Sequence, residues 1–472
     1  MSVVTTLARK EITVALRDGR IRFLSIALWL LVVLALGTGI QHQQEQRQQQ
    51  TQANQGQREL WVNQGDVNPH SAAHHGQHVF KPLSPLALLD PGLSDFTGSS
   101  VFLEAHKQHN ARYKAAEDST STYRFGLLSA NVLFQLLVPL LIILLTYNSF
   151  SGERESGTLR QLMSVGLQPH QLWLGKLLGY LGVLGILLVP PLALGGGALL
   201  WAEGPQAIAM NLSRLGAWSG SYLLFWSLFL GLGLLVSARA RTPRMALVIL
   251  LSLWFANGIL APRLGSALAA ARYQVPTPMA FQQAIADAQA ELPSWSERSE
   301  QVEKRLLKQY QVQQVSQLPV NPAGVILSES EADDTHIYAQ HHQQLAAIYH
   351  QQNQVFQQLG LLFPLLATQS LSSALAGTDL AHYHHFLLAA EGYRQQFVQR
   401  LNNDVTATTQ AEDAFAYTAN RELWETVTPF TYQTPGLAWV TAYTGSAWAA
   451  LLGWNLLILV FTPWGLRALR QL

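Results

Sequence analysis

Imidazoles are the side chains with which this chain could most readily do chemistry. His70, His74, His75 and His78 crowd one stretch, and His382, His384 and His385 follow Asp379 in another. Neutral imidazole ligates metals, and the four-residue interval between His70 and His74 would set both on one face of a helix. Yet no carboxylate or thiolate completes either set at a diagnostic interval, and Pro69 and Gly76 weaken the helix that the spacing needs. Solvated or hydrogen-bonded histidines are therefore expected. No metal site is assigned, and His70, His74, His382 and His385 stand as its weak candidates. Thr378 or Asp379 reads as a helix N-cap, with Asp379 placed to orient His382 or His385. A Ser–His–Asp set can be drawn from the available residues, but no nucleophile motif supports it. Cysteine is absent, which excludes thiolate ligands, disulfides and a cysteine nucleophile.

Residues 151–164, SGERESGTLRQLMS, concentrate the other polar groups between two uncharged apolar runs. A helix over about 152–163 gathers Leu159, Leu162 and Met163 into an apolar stripe and spreads Glu153, Arg154, Glu155 and Arg160 over the remaining face. Gly157, just before Thr158, removes bulk where a partner backbone could come close. Such a helix suits insertion into a groove on a separate subunit. Packing on lipid headgroups is its plainer use.

The elements that hold these residues follow from composition. The chain of 472 residues is 49% hydrophobic and 12% charged, against about a quarter charged in a typical globular protein. Six stretches, 23–40, 127–147, 177–201, 218–238, 245–261 and 444–461, contain no Asp, Glu, Lys, Arg or His. Each approaches the roughly 20 residues that cross a bilayer core. The first is not read as a cleavable signal peptide, because a charged segment, 1–22, precedes it.

Basic residues orient the bundle. Arg9, Lys10, Arg17, Arg20 and Arg22 precede the first span, Arg154, Arg160 and Lys176 lie in the 148–176 loop, and Arg239, Arg241 and Arg244 lie in the 239–244 loop. Arg467 and Arg470 sit in the 462–472 tail, while the short opposite loop, 202–217, offers Arg214. Both termini and the 151–164 connector are thus expected in the cytoplasm, with residues 41–126 and 262–435 outside. The first insertion opens with a glutamine-rich run that reads equally as a solvated helix or as a disordered tract. The second should hold helices over about 279–292, 297–314, 328–359 and 380–401. At the N-terminus, Ala8, Ile12, Ala15 and Leu16 share a face, the pattern of a helix lying in the membrane interface before turning at Gly19. The fold class expected is an all-α membrane protein, with six transmembrane helices and a mostly helical extracytoplasmic domain built from both insertions.

The spans also exclude functions. Ion-coupled carriers keep ionisable groups at membrane depth, and none is present. The chain lacks a phosphate-binding G-x-x-x-x-G-K-[ST] loop, and its net charge of +1 with no basic stripe gives no sign of nucleic-acid binding. Pro190-Pro191 and Gly195-Gly196-Gly197 predict a break in the third span, as a passive kink or a hinge. Gly175, Gly179, Gly182 and Gly185 suit close helix packing.

The stretch FSGERESGTLRQLMSVGLQPHQLWLGKLLG resembles the loop between the second and third spans of ABC-2-type permeases, the membrane subunits of one class of ATP-binding-cassette exporters. The matching residues are Glu153, Glu155, Gly157, Thr158, Leu159, Leu162, Gly175 and Lys176. A subgroup with large extracytoplasmic insertions after the first and fifth spans is similar to permeases of gliding-motility and nitrous-oxide-reductase maturation systems. FKPLSPLALLDPGL and LSSALAGTDLAHYHHFLLAAEGYRQQFVQRLN resemble its signature at Pro82, Pro85, Gly92, Ala376, Gly377, Thr378, Asp379, His382, Phe386, Tyr393, Arg394 and Asn402.

The resemblance implies a bacterial inner-membrane exporter subunit that is not itself an enzyme and has no cofactor of its own. It implies coupling through residues 153–163 to cytoplasmic ATPase subunits that bind ATP and Mg. It further implies pairing with a second copy or a paralogue, and contact with lipid and a periplasmic partner. Two rivals stand beside it: a membrane-anchored ligand-binding or sensory protein, and a metal-dependent membrane hydrolase using the outer histidines.

Overall fold

A computed structural model describes residues 2–114, 129–408 and 416–470. Residues 127 and 128, expected to open the second span, lie outside the described residues. The fold is that of an all-α membrane protein with one small sheet. Among the described residues, six helices are long and apolar enough to cross a membrane: Gly19–Val62, Ala130–Glu155, Pro169–Gln206, Asn211–Arg239, Pro243–Arg272 and Leu437–Leu469.

Helix α1, Val3–Arg17, starts where the Ser2 hydroxyl accepts the Thr5 N–H and stops at Asp18. The first span follows and continues through the glutamine run as one helix. Of the two readings open for that run, the helix is the one observed. Gln43 and Gln50 donate to the Ser84 and Lys81 carbonyls at 3.1 and 3.2 Å, and Arg47 pairs with Glu203. These anchors occupy one side of the run.

Helix α2, Pro69–His75, leads into an antiparallel sheet of β1, Gln77–Phe80, β2, Ser100–Glu104, and β3, Lys107–Gln108. His78 faces Phe102 and Glu104 faces Lys107. The second span ends in α3, Ser151–Glu155, and α4, Thr158–Ser164, follows it. The third and fourth spans form one helical path, and its one departure from helical dihedrals is Gly204, at φ 77° and ψ 168°, just before Pro205. Pro190 and Pro191 keep helical dihedrals, so no static break stands there, and the kink at Gly204 lies where the third span passes into the fourth. Glycine adopts that backbone at little steric cost, whereas neighbouring helices support a proline inside a span.

Beyond the fifth span come α5, Pro278–Ala290, α6, Trp295–Tyr310, α7, Pro322–Gly360, α8, Pro364–Ala376, α9, Leu380–Ala407, and α10, Arg421–Thr426. Helix α8 was not expected. Its Leu365, Leu371, Ala374 and Leu375 join the bundle core beside Phe134, Trp218, Tyr222 and Leu451. Part of the second insertion, assigned wholly to an outer domain, therefore packs as bundle. A second core unites the two insertions. In it Trp61 stands edge-on to Phe397 and Trp424, at 5.9 and 6.0 Å between ring centroids, near Val79, Leu103 and Phe386.

Candidate functional site

The connector is two short helices rather than one. Gly157 separates α3 from α4 in the left-handed region, φ 76°, and a Cβ there would meet nothing within 4 Å. Its role in the chain is the turn itself, so the expectation of a close backbone approach at this glycine has no counterpart within the chain. The turn also redirects the apolar stripe. Leu159 is fully buried in the bundle core, with Leu162 and Met163 packed against it. These three residues hold the connector to the bundle, with Leu162 and Met163 staying partly exposed. Glu155, Ser156, Gly157, Thr158, Arg160, Gln161, Ser164 and Val165 form the exposed tip. Val165, 80% exposed, is an apolar residue that the sequence reading missed, because it falls just past the amphipathic pattern.

Beneath the tip lies a buried ionic cluster. Lys176, 1% exposed, donates to Glu11 at 3.0 Å and Glu153 at 2.8 Å. Lys10 reaches the same carboxylates at 2.9 and 3.1 Å, and the Tyr180 hydroxyl donates to Glu11 at 3.3 Å. Burial works to raise the Glu11 carboxyl, but the charges of Lys176 and Lys10 outweigh it and hold the group below the usual carboxylate range. Arg154 donates to the carbonyls of Ala240 and Ala238 at 2.6 and 2.7 Å, where cations complement a helix C-terminus. Ser237 Oγ accepts the N–H of Phe150 and of Ser151. The connector is thereby fastened to α1 and to the third and fourth spans.

Helix α1 lies along the glycine stripe of the third span. A Cβ at Gly175, Gly179 or Gly182 would stand 2.5 Å from Leu7, 2.7 Å from Glu11 or 2.8 Å from Ile12. Ala15 is buried on this face and Leu16 is exposed. Much of the face expected to meet lipid is therefore turned onto protein.

A second polar cluster lies at the other end of the bundle, expected to face outward. Asp379 caps α9 by accepting the His382 N–H at 3.1 Å, and it lies 2.6 Å from His382 Nδ1. On the far side of the ring, Arg214 Nη2 donates to His382 Nε2 at 3.0 Å and to the Pro435 carbonyl at 2.8 Å. With Nε2 accepting, the ring proton belongs on Nδ1, facing Asp379. The Tyr443 hydroxyl donates to the other Asp379 oxygen at 2.8 Å. Burial works to raise Asp379, and the hydrogen bonds from His382 and Tyr443 prevail and lower it.

The two insertion signatures meet here. Leu93 N–H donates to the Thr378 carbonyl at 2.9 Å, and Thr378 Oγ1 donates to the Asp90 carbonyl at 3.1 Å. A Cβ on Gly92, φ 51°, would stand 2.3 Å from Thr378 Oγ1, and one on Gly377 3.2 Å from Ser84. Asp90 also accepts from Ser372 of α8 and from Asn131.

The four weak metal candidates divide. Both His382 nitrogens are engaged, His385 Nδ1 lies 3.0 Å from the Tyr432 hydroxyl, and neither falls in a group of three ligating side chains among the described residues. His70 and His74 do share a face of α2. Asn68 caps that helix, Pro69 occupies its first position and Gly76, φ 62°, ends it, so the residues that argued against the helix bound it. His106, at the tip between β2 and β3, comes beside them. That partner was missed because the hairpin that delivers it leaves little trace in the sequence.

Residues 279–433 match a sequence family described as a domain of unknown function, DUF3526. The chain is also similar to the probable ABC transporter permease protein NosY of Pseudomonas aeruginosa, 37% identical over 123 residues. That match covers 25% of this chain and 43% of the relative, so the chain spans less than half the length of the protein it matches. The similarity is to an ABC transporter permease, the kind that the connector resembles.

Proposed function

We propose that the chain is the membrane subunit of an ATP-driven, ABC-2-type exporter of the bacterial inner membrane. It pairs with a second copy or a paralogue, and separate cytoplasmic ATPase subunits bind the ATP and Mg. The observation that carries this reading is the connector, an exposed tip at residues 155–165 whose base is locked to α1 and the third and fourth spans through Lys176, Glu153 and Arg154. A surface that rides on the ATPase must pass displacement on rather than absorb it. Glu155, Thr158, Arg160 and Val165 meet the ATPase, while Glu153, Leu159, Leu162 and Met163 pass its motion inward. The third span yields at Pro190 and Pro191, each of which lacks a backbone N–H. The cluster of Gly377, Thr378, Asp379, His382 and Arg214 carries the movement to the outer domain, where it expels cargo or does work on a periplasmic partner. No residue of this chain performs covalent chemistry in this reading.

Co-expression with a cytoplasmic ABC ATPase of its own organism tests the proposal. The two should co-purify, and the chain should stimulate ATP turnover in lipid. Val165→Asp and Glu155→Lys should each abolish most of that stimulation with the melting temperature unchanged. A chain that folds in lipid yet neither binds nor stimulates that ATPase is the anchored sensory protein instead.

A further inference from the structure

Three imidazoles converge in the outer domain. His70 Nε2 lies 3.1 Å from His74 Nε2 and 3.3 Å from His106 Nε2, and the candidate ligand atoms of the three lie within 4.8 Å of one another. Zinc–nitrogen bonds of about 2.0–2.1 Å in a tetrahedron set neighbouring nitrogens about 3.3 Å apart. The spacing is that of one coordination shell.

The far side of two rings is fixed as metal ligands require. His106 Nδ1 lies 2.8 Å from Asp334 Oδ2, and His70 Nδ1 lies 3.0 Å from Asn402 Oδ1. Each Nδ1 then carries the proton, and each Nε2 presents a lone pair. Two lone pairs face each other at 3.3 Å, and the one proton of a neutral His74 satisfies only one of them. A cation between the three rings resolves this.

His106 is also held in place at a cost. It is a non-glycine residue at φ 63°, a conformation that persists where its surroundings enforce it. Its N–H donates to Glu331 Oε2 at 2.7 Å, and Glu331 is in turn paired with the buried Arg394. Arg394 and Asn402, both on α9, thus support the cluster from behind. On its open side is a cavity of about 510 Å³ lined by His74, Ser71, Trp295 and Ser330.

We infer that His70, His74 and His106 bind a divalent transition-metal ion of the zinc type, leaving one coordination position open to the cavity. Closed structural zinc sites use four protein ligands; three ligands and an open position make a site that accepts an exchangeable ligand. The ligands come from the first insertion, and the residues that orient them, Asp334 and Asn402, come from the second. Occupancy therefore also fastens the insertions together.

The test uses the full chain in detergent, purified without a polyhistidine tag, stripped with chelator and titrated with Zn²⁺ against a chromophoric competitor. One equivalent should bind, and Co²⁺ in its place should give the intense visible bands of a four-coordinate site. His74 is exposed, so His74→Gln should keep the fold and weaken binding at least about tenfold; Asp334→Asn should weaken it about 10- to 100-fold. His75→Ala, beside the cluster, should leave affinity unchanged. Substoichiometric binding by the wild type, equal affinity in the wild type and His74→Gln, or equal losses in His75→Ala and His74→Gln would each overturn the inference.

Discussion

The inner and outer polar clusters solve one problem, joining rigid helices across a buried contact, by different means. Lys176, Glu11 and Glu153 form a fully charged tie beside Lys10. At the outer end a neutral imidazole, His382, stands between a carboxylate and a guanidinium, so the charges meet through a ring. The inner tie supports an exposed surface one turn away, whereas the outer one is shut in by Trp439, Tyr443 and the α9 cap. At the connector the tie is ionic. At the α9 cap it is directional and fixes orientation as well as distance.

The hardest blow to this contrast is Lys176→Met, which leaves Glu11 and Glu153 to the half-exposed Lys10. Removing one partner from a buried ion pair costs about 3–5 kcal/mol, so the thermal midpoint in detergent should fall furthest here, with Lys176→Arg recovering part. Arg214→Ala should cost less, about 1.5–3 kcal/mol for charge-assisted bonds, and should raise amide exchange in the first turn of α9 while leaving α3 and α4 protected. Equal exchange at both ends would erase the distinction between the ties.

Gly92→Ala meets Thr378 and a left-handed backbone, so about 1–3 kcal/mol of strain is expected, read as a lower midpoint that Thr378→Ser does not restore.

A pH dependence sharpens the comparison further. Burial lifts the Asp90 carboxyl to about 6, against bonds from Ser372 and Gly92, from an unfolded value of 3.8. The native state therefore holds the proton more tightly, and stability should decline as pH rises from about 4 to about 6. Asp90→Asn should flatten that slope.

The spans were legible because an uncharged apolar run of membrane length has few other uses, and Asp379 was legible as a cap because capping is local. What escaped depends on distance along the chain. Lys176 reads as a basic flank until Glu11, 165 positions away, is seen against it. Gly175, Gly179 and Gly182 signalled close packing without saying that α1 was the partner. Helix α8 is 13 residues long, too short to count as a span, yet an apolar run of 10–14 residues is a known mark of a buried helix. Gly157 was read as an absence of bulk when what the chain uses is its backbone freedom.

The first span's continuity has a mechanical consequence. At 1.5 Å per residue, its 44 residues make a mast about 66 Å long, of which the bilayer core covers about 30 Å. Arg58 and Trp61 near its top hold the Val427 and Trp424 carbonyls, so the far end of the mast carries the outer core. A tilt of about 10° at its foot, beside α1, would swing that load sideways by about 10 Å, so a rocking of one helix inside the membrane would become a stroke in the space beyond it.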